Sequence, residues 1–181
     1  VTLGPLGGLL GFLITARFEA LSEAIEQYNK GQYGNQEQRN SFLMSLLVLS
    51  TAVIKADGKT TTKEMSVLQD FFARNFGPQA AEEAEEIIKE LLDKDFNLYD
   101  VCMQVRSNMD YSQRLQLYHF LVGLGAADGL HKSETDLLET IASYLGLSKG
   151  DSESSFAQFQ PSNESNYKIL GIDPSATDEQ V

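Results

Sequence analysis

The chain has 181 residues, 42% of them hydrophobic, and its 26 acidic against 14 basic side chains leave a formal net charge of −12. That length supports one domain with flanking pieces, and that charge argues against a nucleic-acid face, which needs clustered Lys and Arg. A single cysteine, Cys102, excludes an internal disulfide framework. Two distant histidines, His119 and His131, leave no zinc-type spacing, and no phosphate loop, dinucleotide fingerprint or catalytic triad is present, so the chain reads as a non-enzyme.

Residues 1–14 are Gly-rich, apolar and uncharged. They are shorter than the roughly 20 residues of a membrane span and lack the basic start of a signal peptide. Two readings stand: an unstructured tail before a helix from Leu9, or the C-terminal part of a membrane helix. In the second, Gly4, Gly7, Gly8 and Gly11 would allow close helix contact and favour a homodimer. The helix continues through Arg17, Phe18, Leu21, Ile25 and Tyr28, and stops at the Gly31–Gly34 turn.

Residues 36–56 give the clearest helical pattern, with Phe42, Leu43, Leu46, Leu47, Leu49, Val53 and Ile54 predicting one apolar face. Thr61 and Glu64 then match a capping box for a helix carrying Met65, Leu68, Phe71, Phe72 and Phe76 inward. Gly77 ends it, and Pro78 opens a helix to about residue 93 whose Glu82, Glu83, Glu85, Glu86 and Glu90 predict a solvated acidic face. A shorter helix follows Asn97, with Cys102 as a small core residue.

Asp110 or Ser112 caps the next helix. From Leu115 to Ala127 it is apolar nearly all round, which predicts a central position, with His119 as a core or boundary residue. A helix with Leu137, Leu138, Ile141, Tyr144 and Leu145 follows, and Ser148–Phe159 forms a last short one with Ser148 and Asp151 as its cap. Residues 160–166 read as a linker. No strand pattern occurs, so the expected fold is all-α.

One short pattern occurs twice. Ala56-Asp57-Gly58 precedes Glu64, and Ala127-Asp128-Gly129 precedes Glu134; each turn follows one apolar helix and opens another. Gly58 and Gly129 suit helix C-termini, and the two glutamates suit helix starts. Asp57 and Asp128 are not explained this way, because a negative charge at a helix C-terminus opposes the dipole. An EF-hand is excluded, since its loop needs a central Gly and a Glu at position twelve. If the repeats are related by approximate twofold symmetry, Asp57, Glu64, Asp128 and Glu134 come together, and four carboxylates select Ca²⁺ or Mg²⁺.

The doubled pattern, in Lys55–Phe72 and Ala126–Ser148, resembles the TerB (tellurite-resistance) domain family over about residues 36–159. The resemblance implies a compact all-helical bundle, a divalent metal on Asp57, Glu64, Asp128 and Glu134, and a role in membrane-associated stress complexes. The turns differ in length by one residue, so the two halves do not superpose fully. Asn166–Val181 is similar to the opening of a DnaJ-type J-domain: Tyr167, Leu170 and Gly171 fit its first helix, and Ala176, Thr177 and Gln180 the start of its second. The basic helix and His-Pro-Asp loop that engage a DnaK-type chaperone would lie beyond Val181.

The order of segments resembles the DjlA-type membrane-anchored co-chaperones. It implies a region at the cytoplasmic side of the bacterial inner membrane, docking an unknown partner and acting with a DnaK-type chaperone through the rest of the protein. The alternative is a free-standing cation-binding protein of a tellurite or stress response. The expected organisation is a possible anchor end at 1–19, a bundle of about seven helices built from two helix–turn–helix units at 20–159, a linker at 160–166 and a truncated J-domain start at 167–181.

Overall fold

Every residue from Leu43 to Ile54 is buried, and this run is the axis of the bundle. The structure, a computed structural model, describes residues 12–29 and 36–159, which form eight helices and no strand. In chain order they are α1 (Phe12–Asn29), α2 (Gln36–Ile54), α3 (Thr62–Phe76), α4 (Pro78–Leu92), α5 (Leu98–Asn108), α6 (Tyr111–Gly125), α7 (Lys132–Leu145) and α8 (Lys149–Ala157). Helices α4, α5, α6 and α7 all pack against α2. The expected all-α bundle is what forms.

The spacing in α2 predicts one apolar face, and the structure buries all of its sides. Within Leu43–Ile54 its three buried polar residues, Ser45, Ser50 and Thr51, are small, and two of them bond within the helix. Ser45 and Thr51 are fully buried, and their hydroxyls donate to the carbonyls of Ser41 and Leu47, one turn back, at 2.8 Å each. A hydroxyl satisfied inside its own helix enters a core without an unmet donor. The central place predicted for α6 therefore belongs to α2. In α6, Leu117, Tyr118, Leu121, Val122 and Leu124 are buried, but Leu115, His119 and Phe120 are only half-buried. Phe120 meets Phe71 of α3 with ring centroids 4.4 Å apart, where Phe71 is half-buried rather than central.

Helix α1 starts before the boundary expected at residue 20. Ile14, Phe18, Leu21, Ala24 and Ile25 all lie in the core, and α1 packs on α4 and α3. Its charge is matched as well. Arg17 lies 3.8 Å from Glu83 and 3.6 Å from Glu86, and its Nε donates to Glu90 at 2.6 Å. Glu85 accepts from Gln69 of α3 and pairs with Lys89 at 2.7 Å. Glu82 is exposed and the other four α4 acids are half-buried; the acidic face lies at the surface as predicted, and in addition seats Arg17 of α1 and Gln69 of α3.

The caps follow the sequence closely. Thr61, Asn97, Asp110 and Ser148 each accept a backbone N–H at the start of α3, α5, α6 and α8, and Pro78 opens α4. Asp110, not Ser112, caps α6, with Gln113 returning the bond. Among the described residues no helix is long and apolar enough to cross a membrane. Residues 1–11, the linker and the 167–181 motif lie outside the described residues.

If α1 is integral to the domain, Phe18→Ala should behave as a core truncation. We expect a loss of about 3–5 kcal/mol in urea unfolding, in a single transition. A change within about 0.5 kcal/mol would show that α1 is an appendage.

Candidate functional site

The site begins where α2 and α6 end. After α2, Ala56 N–H bonds to Val53 O at 3.0 Å and Gly58 N–H to Lys55 O at 3.1 Å; after α6, Ala127 N–H bonds to Leu124 O at 3.2 Å and Gly129 N–H to Ala126 O at 3.3 Å. The two turns are thus built alike, up to the glycine. Gly58 and Gly129 have φ of +77° and +105°, and a Cβ at either would meet nothing within 4 Å. Backbone angle alone accounts for glycine there.

The turns sit side by side because the ends of α2 and α6 touch. A Cβ on Gly125 would lie 3.3 Å from Val53 of α2, 3.4 Å from Leu130 and 3.5 Å from Glu134 Oε1. The bare backbone of Gly125 lets α2, the second turn and the start of α7 converge.

Each glutamate closes the start of its helix. Glu64 Oε2 accepts from Thr61 N–H at 2.9 Å and from the Thr61 hydroxyl at 2.8 Å; Glu134 Oε2 accepts from His131 N–H at 2.8 Å. Glu64 and Glu134 are 2% and 1% exposed. Burial pushes both carboxyls above the ordinary glutamate range; the capping bonds act in the opposite direction, and the charges of Asp57 and Asp128 add to the rise. Glu64 also raises Glu134. The four predicted acids therefore share one electrostatic neighbourhood.

Their arrangement is not a closed cage. Among the described residues no three acids, histidines or cysteines are gathered tightly enough to hold a metal ion. Asp57 Oδ1 accepts from Lys59 N–H at 2.8 Å, which gives that aspartate a local turn role that spacing did not suggest. Its Oδ2 lies 3.9 Å from His131 Nε2, a link from the first turn to the N-cap of α7. His131 had no assigned part in the sequence reading. Its signal was its position three residues before Glu134, where Thr61 stands before Glu64. Chemically, the four side chains offer only carboxylate oxygens, the donor type a hard divalent cation takes, but no three of them stand close enough as placed to hold one.

Residues 43–155, more than half of the chain, match the family described as tellurite resistance protein TerB. The chain belongs to the TerB family. The TerB match runs from within α2 into α8 and takes in both acidic turns, while α1 lies before it. No curated protein and no solved structure matches the chain.

The raised glutamates give the TerB bundle a pH signature. A carboxyl whose folded pKa lies above its unfolded value contributes stability that is full below the unfolded value, about 4.3, and is lost as pH rises through the folded one. Gln keeps an acceptor for the cap and cannot ionise. In chelator, Glu64→Gln and Glu134→Gln should gain stability over the parent as pH rises from about 4.3 toward neutrality. A melting-temperature difference that is constant with pH would show that the two carboxyls are not held up.

Proposed function

We propose that this TerB-family domain is a non-catalytic interaction domain whose two acidic turns are joined by a divalent cation, Ca²⁺ or Mg²⁺. Asp57, Glu64, Asp128 and Glu134 would supply its oxygens. The observation that carries this reading is the burial of Glu64 and Glu134 beside two further acids. Among the described residues, the one basic side chain within ion-pair distance of these four is His131, 3.9 Å from Asp57, which makes an ion pair only when its imidazole is protonated. Buried carboxyls raised by burial and by neighbouring acids are, when ionised, stabilised by a cation. Bound there, a cation would compensate the charge of the carboxylates that cap α3 and α7 and of the two aspartates beside them.

The test is thermal melting in EDTA and in Ca²⁺, Mg²⁺ or Mn²⁺. A cation at about 100 times its Kd should add about 2.7 kcal/mol, and Asp57→Asn or Asp128→Asn should remove most of that gain. Superimposable melts in every condition would exclude the cation.

The wider protein reads as a membrane-anchored J-domain co-chaperone, a proposal supported by the Asn166–Val181 motif and the Gly-rich start. In it the bundle would be the regulatory region, at the cytoplasmic side of the bacterial inner membrane, docking a protein partner, with the Gly-rich segment favouring a homodimer. The family name favours a second reading, a cation-binding component of a tellurite or stress response. The parent protein, carried past Val181, should stimulate a DnaK-type ATPase, and the 181-residue chain should not. No stimulation by the parent, together with tellurite sensitivity on its deletion, would favour the second reading.

A further inference from the structure

Helix α8 differs from the other helices in how it is held. Its nine residues, Lys149–Ala157, include one buried side chain, Ser155. A helix of that length has little stability of its own, so its contacts decide whether it forms. They are with α6. Phe156 meets Tyr118 edge-on at 6.3 Å, and the Tyr118 hydroxyl shares a hydrogen bond with Ser152 at 2.9 Å. Tyr111 bonds to Asp151 and accepts from Ser148 N–H at 2.9 Å. Just past the helix, the Phe159 ring lies 5.0 Å from His119 and over Gly123, where a Cβ would come within 2.8 Å of it.

Helix α7 is closed without help from α8. Gly146 adopts the left-handed conformation, and Leu147 N–H bonds back to Ala142 O at 3.0 Å, which completes a helix end by itself. Arg114 of α6 also bonds to the Leu145 carbonyl. Releasing α8 leaves α7 capped, and gives up the contacts of Phe156 and Phe159, a set of mostly exposed hydrogen bonds, the part-buried Tyr118–Ser152 bond and the cover over one side of the buried Tyr118. Such contacts define the low end of local stability within a fold.

We propose that α8 is a strap that opens on its own and sets the reach of the chain that follows Phe159. When closed, the chain leaves the bundle at Gly123, midway along α6. When open, residues 148–159 become tether, with a root-mean-square span of about 20 Å of their own. The strap is independent of the cation reading, since none of its contacts involves the acidic turns.

Hydrogen exchange of the full 181-residue chain tests the opening. Amides of α8 should exchange at least about tenfold faster than those of α2, and Phe156→Ala should speed α8 about tenfold more while Leu43–Ile54 stays unchanged. Ser152→Ala should act in the same direction, more weakly. Exchange of α8 and α2 at one common rate, accelerated together by Phe156→Ala, would overturn the strap, and so would fast α8 exchange indifferent to both substitutions.

The reach is read separately, by spin labels at Thr140→Cys and Ser165→Cys, with the buried Cys102 protected. Two distance populations are expected, with Phe156→Ala moving weight to the longer one. A distribution that Phe156→Ala leaves unchanged would reject the tether role.

Discussion

The contact of Val53 with Gly125 is the constraint on which the site depends. Burying α2 on every side brings α6 against it, and the missing side chain at residue 125 lets their C-terminal ends meet. Two helices that end side by side must turn side by side. The acidic turns are then neighbours through packing alone, and the helices that leave them, α3 and α7, start next to each other. A Cβ at residue 125 would press on Val53, Leu130 and Glu134 together, so the packing of α2 and α6 and the position of the Glu134 carboxylate are set at one point.

That arrangement gives the capping glutamates two consequences from one position. An N3 glutamate satisfies a backbone N–H and favours the helix start, a gain of order 1 kcal/mol. In an isolated helix it would do so in water. Here each cap lies among the acids of both turns: burial raises both Glu64 and Glu134, the charges of Asp57 and Asp128 add to the rise, and Glu64 raises Glu134 further. The repeat explains the caps, but only the pairing of repeats explains the burial.

Much of this was legible in the sequence, for reasons that differ by residue. Caps are local, so Thr61, Asp110 and Ser148 follow from spacing. The doubled turn was visible because its glycines and glutamates recur. The all-round burial of α2 was hidden, because Ser45 and Thr51 count as polar in a periodic pattern while bonding internally in the helix. Arg17 was hidden for the opposite reason. Its partners lie about seventy residues away on α4, and no local pattern shows that an acidic face will receive a helix. The role of His131 was missed because histidine is not a usual N-cap residue.

The two groups of acids show what net charge alone does not. On α4, Glu83, Glu86 and Glu90 converge on Arg17 and Glu85 on Lys89, at the surface, where solvent limits what each pair contributes. At the turns the acids are deeper and face one another, with one histidine alongside. A low-dielectric setting strengthens whatever interaction is present, repulsion included. The deeper group is therefore the one whose charge an external cation would change most. The surface group already has its cations within the chain and serves to dock α1. The same residue type does structural work on α4 and forms a binding candidate at the turns, and burial rather than composition separates the two.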